Sequence, residues 1–490
     1  MTATRVTLLL TVCVAVLLGG CASNPATGEA TVALMSEEKE VELGKQLHPR
    51  IIAQYGVYPD SELQGYVNDI GQRLAAVSER PDLVWSFTVL NDDTINAFAL
   101  PGGYVYITRG IMAHLRSEAE LAAVIGHEIG HVTARHAATR DRNQKLAGVA
   151  STLTAIATRS VAGAQAASLA GDALVSGFGR TQELEADELG ARYIAKAGYP
   201  TEAVFTAVEI LKRREQFEIE RARAEGRQPR IPKGIFNTHP DNDVRFEEAI
   251  EAASQYQSDA NADPRVEEYL NRINGMAFGP KNIPGVVRNN YYYHSRFGIK
   301  MKFPEDWRVM GSTGQIQAIS PENDAAMQVF VVVPGRNMTP MDVIQRKLGL
   351  SQLKEAREIT VSGLPAVIGI GDRYGQGPFG NRPVRAAAIV DQRRRKAYVF
   401  AGTGKNDLSR IARDDDFIPT IFTFDHMERS EINLGRPPVI RIVRAEDDTT
   451  IEGLAESSAV PVFAEQQLRL INGLYPAGEP QPGQLLKTVD

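Results

Sequence analysis

His127-Glu128-Ile129-Gly130-His131 is the stretch on which the reading of this chain rests. On a helix, positions i and i+4 lie one turn apart on a single face, so His127 and His131 can offer two imidazoles to one zinc ion. Glu128 is rotated by about 100° from His127, which suits a carboxylate facing a water beside the metal rather than the metal itself. Ser117 with Glu120 three residues later is a capping-box pattern and predicts where that helix starts. Leu121, Val124 and Ile125 supply its apolar positions.

A catalytic zinc takes three protein ligands and keeps one position open. The position ten residues after His127 is Ala137, so a third histidine on the same run is excluded there. His136, nine residues on, falls about 180° from His127 around a continuous helix and is assigned to the opposite face. The alternative is a carboxylate from a second helix, and Glu183-Leu184-Glu185-Ala186-Asp187 supplies one. Glu183 and Asp187 share a face at i and i+4, so Glu183 can ligate while Asp187 accepts the outer N–H of a ligating histidine. Glu185 points elsewhere and reads as a surface charge or salt-bridge partner.

Outward from this centre, the N-terminus carries an address. Arg5 precedes the apolar run Val6–Leu18, which as a helix would span roughly 20 Å, short of the ~30 Å hydrocarbon core. It reads as a signal peptide over residues 1–20. Leu18-Gly19-Gly20-Cys21 resembles the bacterial lipobox, with Cys21 as the lipid attachment site. Ala22 follows it, and by resemblance to lipoprotein sorting this favours the inner leaflet of the outer membrane. The only cysteines are Cys13 and Cys21, which rules out a disulfide framework. At 490 residues the chain has room for several domains, and its net charge of -6 gives no basis for nucleic-acid binding.

Residues 21–35 read as a tether. From Ser36 to Ala76 apolar residues recur at helical spacing (Leu63, Tyr66, Val67, Ile70, Leu74), and Trp85–Leu90 and Gly103–Thr108 read as strands. Residues 145–176 read as closely packed small-residue helices. Helices are predicted over 182–197, stopped by Gly198-Tyr199-Pro200, and over 201–224. Beyond Gly279 short strands take over, and Arg393-Arg394-Arg395-Lys396 reads as a solvated hairpin tip. The stretch from Arg436 reads strand, helix, helix, strand.

The blocks Asn96–Gly103, Thr108-Arg109-Gly110, His127–His131, Arg180–Asp187 and Thr238-His239-Pro240 together resemble the CAAX-prenyl-protease and HtpX-type zinc metallopeptidases (peptidase family M48). Within them the chain is most similar to the periplasmic BepA-like lipoprotein branch, although the tetratricopeptide repeats of that branch are not seen. The resemblance implies a mostly helical gluzincin domain with a small sheet over residues 36–278, one zinc per chain on His127, His131 and Glu183, and Glu128 as general base. It also implies a role for His239, either stabilising the oxyanion or capping the open zinc position until substrate displaces it; the family favours the cap. The strand Gly103–Thr108 is expected to border the cleft as an edge onto which an unfolded substrate segment adds. His48, His114, His294 and His426 are read as structural.

The fold class expected is α+β: this peptidase domain, then a mixed α/β domain over 279–430, then a small βααβ unit over 436–490. Gly298–Trp307 resembles the opening of PsbP/Mog-like domains. The segments Ile451–Ala455, Leu470–Gly473 and Gln481–Lys487 resemble a LysM module, with Glu446–Thr450 in place of the usual Gly-Asp-Thr opening. The function expected is a lipid-anchored periplasmic zinc endopeptidase acting on misfolded or stalled envelope proteins. The competing readings are a chaperone or scaffold lipoprotein with a latent site, and a cell-wall peptidase with peptidoglycan as a further partner.

Overall fold

A computed structural model describes residues 21–139, 178–229, 251, 255–256 and 263–490, less 27, 29, 33–34, 282–284, 289–290, 313, 409 and 461. The chain divides into two compact units. One runs to Lys281 and also takes in Val439–Ser457 and Phe463–Asp490, and the other is Asn282–Pro438 with Ser458–Val462. The terminal segment, expected as a domain of its own, is thus part of the unit that carries the histidines. Among the described residues no helix is long and apolar enough to cross a membrane.

In the first unit, within the segment 21–35 read as tether, β1 (Cys21–Ser23) and β2 (Ala30–Val32) pair antiparallel as a hairpin. Helix α1 (Glu37–Tyr55) is capped by Ser36 and ends at Gly56, whose φ of 75° suits glycine. Helix α2 (Ser61–Ala76) starts where the Asp60 side chain accepts from the N–H groups of Glu62 and Leu63. It buries the predicted stripe of Leu63, Tyr66, Val67, Ile70 and Leu74. Each such side chain contributes roughly 1.5–3 kcal/mol on full burial.

The small sheet consists of β3 (Ser86–Leu90), β4 (Ala97–Leu100) and β5 (Tyr104–Thr108) in the order β3-β5-β4, with β3–β5 parallel and β4–β5 antiparallel. This corrects the expectation that Gly103–Thr108 is an edge. It is the central strand, and β4, whose apolar run is short and bounded by Asn96 and Pro101, is an edge. Helices α3 (Arg109–His114), α4 (Glu118–Thr133), α5 (Arg180–Lys196), α6 (Ala203–Ala224) and α7 (Val266–Ile273) follow; α3 and α4 pack on the sheet, and α5, α6 and α7 pack on α4. Helix α5 ends at Ala197 and Gly198 (φ 82°), where the stop was predicted.

In the second unit a seven-stranded antiparallel sheet runs β12-β13-β14-β15-β11-β10-β9. Its strands are β9 (Arg308–Ser312), β10 (Gln315–Ile319), β11 (Ala325–Val332), β12 (Lys354–Val361), β13 (Leu364–Tyr374), β14 (Arg382–Asp391) and β15 (Lys396–Gly404). Both faces are buried, which is why β14 reads as a continuous apolar run. Ala386, Ala388 and Val390 pack with Val343, Ile344 and Leu348 of α8 (Pro340–Leu348). Ala387 and Ile389 pack on the other face with Phe417 and Ile421 of α9 (Asp414–Phe422). The basic turn Arg393–Lys396 joins β14 to β15, as read from the sequence. A four-stranded sheet of β6 (Val286–Arg288), β7 (Tyr291–His294), β8 (Ile299–Lys302) and β16 (Asp425–His426) completes this α+β unit.

The terminal segment follows the predicted order strand (Ile440–Arg444), helix (Ile451–Glu456), helix (Ala464–Ile471), strand (Leu485–Val489), and its two strands pair antiparallel. It is fastened to the first unit by Lys487, 1% exposed, whose Nζ donates to the carbonyls of Ala113 (2.9 Å) and Leu115 (2.7 Å) at the C-terminus of α3. Burial pushes that amine down to about 7. Phe217 of α6 packs with Leu470 and Tyr475 of the same segment.

Candidate metal centre

Helix α4 is buried along almost its whole length, and His127, its side chain 12% exposed, is where it meets an opening. Its first turn realises only half of the predicted capping box. Ser117 Oγ accepts from the Glu120 N–H at 3.1 Å, but the Glu120 carboxylate accepts from the backbone N–H and guanidinium of Arg116 instead of closing back on Ser117. Helix α5 crosses α4 at glycines. A β-carbon on Gly126 would lie 3.2 Å from Gly190 O, and one on Gly130 would lie 3.0 Å from Ala186 O. Side chains there would hold the backbones apart, so the glycines let Glu183 and Asp187 reach the histidines.

The cluster of His127, His131 and Glu183 has one ligand atom from each residue within 4.8 Å of the others. His127 Nε2 and His131 Nε2 are 3.0 Å apart, and each lies 3.6 Å from an oxygen of Glu183. Donors about 2.0–2.1 Å from a tetrahedral ion stand roughly 3.3 Å from one another, and each nearest donor pair is within a few tenths of an ångström of that spacing, Glu183 meeting His127 through Oε2 and His131 through Oε1. Two imidazole nitrogens and one carboxylate are also the donor types a catalytic zinc takes. Glu128 is buried beside them at 1% exposure.

Behind the three residues stand their hydrogen-bonding partners. Asp187 Oδ1 lies 2.8 Å from His127 Nδ1, the pairing expected from the sequence, so that Nε2 is left to face the cluster. On the His131 side the geometry corrects one expectation and decides between two readings. Helix α4 ends at Thr133, and Arg135 takes a left-handed φ of 57°, so the chain doubles back. His136 therefore does not project to the far side. Its Nδ1 lies 2.8 Å from His131 Nδ1, and its Nε2 lies 3.0 Å from Glu185 Oε2. Of the two readings of Glu185, surface charge or salt-bridge partner, the second holds: it is half-buried, pairs with His136, and also accepts from the Asn24 side chain at 2.5 Å. Burial pushes the Glu185 carboxyl up, but the hydrogen bonds from His136 and Asn24 outweigh this and hold it below the usual range. The ring of Phe178 stacks on His131 with centroids 4.0 Å apart.

No glycine or asparagine marks the stop after Thr133, and for that reason periodicity alone missed His136. The left-handed turn costs a non-glycine residue about 1–2 kcal/mol. Tertiary contacts offset it: Arg135 pairs with Glu40 Oε2 at 2.8 Å and donates to Met35 O at 2.8 Å, while Arg80 holds the other Glu40 oxygen at 3.0 Å. His239, residues 145–176 and the leader at residues 1–20 lie outside the described residues. Two of the histidines read as structural have ordinary partners: His48 pairs with Tyr106 Oη, and His114 Nδ1 with Gly110 O.

A model of peptidase family M48 matches residues 61–253, a span that contains every residue of the cluster. The beta-barrel assembly-enhancing protease of Escherichia coli is 28% identical over 242 residues, 47% of each chain. That of Yersinia pestis is 29% identical over 271 residues, 53% of each chain. A mitochondrial metalloendopeptidase of Schizosaccharomyces pombe is 32% identical over 180 residues, 36% of this chain and 52% of its own. The chain spans about half the length of the curated relatives it matches. With two histidines and a glutamate converging where α4 and α5 cross, residues 61–253 form a domain of peptidase family M48, a family of metal-dependent peptidases.

Proposed function

We propose that this chain is a zinc metalloendopeptidase of the bacterial periplasm, held at the outer membrane by a lipid on Cys21, that cleaves misfolded or stalled envelope proteins. The observation that carries the reading is the convergence of His127, His131 and Glu183 beside a buried Glu128. When bound there, zinc supplies Lewis-acid chemistry, acidifying water and polarising a peptide carbonyl. Glu128 takes the proton of the attacking water and returns it to the amine as the peptide bond breaks. Asp187 keeps the His127 ring in the tautomer whose Nε2 lone pair faces the cluster. His239 acts as the cap of the open position, the role favoured by the family resemblance.

Substrate recognition falls to β4, the edge strand that packs on α4. Its outer backbone groups accept an extended segment as an added strand, a mode that selects unfolded chain more than side-chain identity. The names of the bacterial relatives point to β-barrel assembly, so unassembled outer-membrane strands are the substrate class proposed. The terminal βααβ segment is taken as a LysM-like module whose second strand serves docking through Lys487.

The test is zinc content and casein cleavage for the full chain in detergent, beside Glu128→Gln and His239→Ala. The reading predicts one zinc per chain, cleavage by the wild type, zinc without cleavage in Glu128→Gln, and faster cleavage in His239→Ala. Absence of zinc under metal-replete conditions would sink it.

A further inference from the structure

The metal donors account for Asp187 but leave His136, Glu185 and Asn24 with no stated task. Each is held in place more firmly than a surface residue needs. His136 is 2% exposed and Asn24 5%. Asn24 is set by its own turn, in which its Oδ1 accepts from the Ala26 N–H at 2.9 Å and its carbonyl from the Gly28 N–H at 2.8 Å. The turn that returns His136 is pinned by Arg135 on Glu40.

With His136 neutral, the hydrogen bonds have one consistent direction. A carboxylate only accepts, so Asn24 Nδ2 and His136 Nε2 both donate to Glu185. A neutral His136 then has Nδ1 as acceptor, and the partner 2.8 Å away, His131 Nδ1, must carry the hydrogen. That places the ring lone pair of His131 on Nε2, the atom turned towards His127 and Glu183. The chain of contacts thus selects the tautomer and ring orientation that metal binding requires, as Asp187 does for His127.

We propose that His136, Glu185 and Asn24 form a hydrogen-bonded relay that fixes the ring of His131, so that the hairpin following Cys21 is a functioning part of the metal centre. The inference rests on the metal site proposed above. It gives the anchored N-terminus a direct route to the donors: displacement of residues 21–32 removes Asn24 from Glu185 and loosens the far end of the relay.

The experiment uses the full chain in detergent with His136→Ala, Glu185→Ala, Glu185→Gln, Asn24→Ala and the double variant Asn24→Ala/Glu185→Ala. Zinc affinity is read by chelator competition, donor geometry by the visible spectrum of the cobalt-substituted protein, and fold by the melting temperature of the metal-free protein. A relay predicts zinc binding about 10–100-fold weaker in His136→Ala and about 10-fold weaker in Glu185→Ala, with a shifted cobalt spectrum. Glu185→Gln keeps one acceptor oxygen where Glu185 offers one to His136 and the other to Asn24, so its zinc affinity falls between those of Glu185→Ala and wild type, and Asn24→Ala adds little to Glu185→Ala because the two act through one contact. Metal-free melting temperatures stay at the wild-type value. Affinities within twofold of wild type for His136→Ala and Glu185→Ala, or an Asn24→Ala variant indistinguishable from wild type, overturn the proposal. So do losses that merely track a lower metal-free melting temperature. Failure of the wild type to bind either metal is a separate result, since it removes the site itself.

Discussion

Gly190→Ala is the sharpest test of how the fold builds the centre. The added β-carbon would lie 2.9 Å from His127 N and 3.2 Å from both Gly126 C and His127 Cα. All three are backbone atoms, so no side chain can rotate away. Ordinary contact begins near 3.4 Å, which requires α4 and α5 to part by about 0.5 Å at this point. Such overpacking costs about 1–3 kcal/mol, a substantial part of the ~5–15 kcal/mol that holds a typical domain folded. Glu183 lies two turns away on the same helix and moves with it. Metal–donor distances tolerate only about 0.2 Å, so zinc binding is expected to weaken by at least ~10-fold, or ~1.4 kcal/mol. Denaturant unfolding of the metal-free protein reads the first quantity, and chelator competition the second. Gly65→Ala in α2 is the control: nothing lies within 4 Å of its added carbon, and replacing a helical glycine there should stabilise by about 0.5–1 kcal/mol. If Gly190→Ala unfolds with the wild type and binds zinc within twofold of it, the close crossing does not set the Glu183 position and the reasoning is wrong.

Three further outcomes follow from the structure. Asp187→Asn replaces the charged acceptor on His127 Nδ1 with a neutral amide and should weaken zinc binding about 10–100-fold with little change in metal-free stability, read by the same competition assay. Glu128→Gln should keep the zinc affinity of wild type while peptide cleavage falls by about 10²–10⁴-fold, measured on a fluorogenic peptide. Lys487 has a folded pKa near 7 against 10.5 when unfolded, so between these values the unfolded chain binds the extra proton. Its contribution is therefore complete above pH 10.5 and is lost as pH falls towards 7. Relative to wild type, Lys487→Met should flatten the rise of unfolding free energy across that window; identical slopes would show that the amine is not buried as described.

The local elements and the helix faces that bring His127, His131 and Glu183 together were legible in the sequence because each is encoded over a few residues. The i, i+4 spacing of His127 and His131 and that of Glu183 and Asp187 specify shared helix faces, and the Leu63–Leu74 stripe specifies which side of α2 is buried. Gly198 and the Arg393–Lys396 turn mark ends by their own conformational preferences. What tertiary structure decided depends on residues distant in the chain. Strand order put β5 in the middle and β4 at an edge, which no property of Tyr104–Thr108 by itself dictates. The end of α4 was set by Glu40, 95 positions from Arg135, and with it the return of His136 to His131. The pairing of Asn24 with Glu185 across 161 positions, and the burial of Lys487 against α3, likewise had no local signal. A helix face is written in the period of a few turns, whereas a reversed turn without glycine, an edge strand and a buried lysine are stable only in the company of partners that folding brings to them.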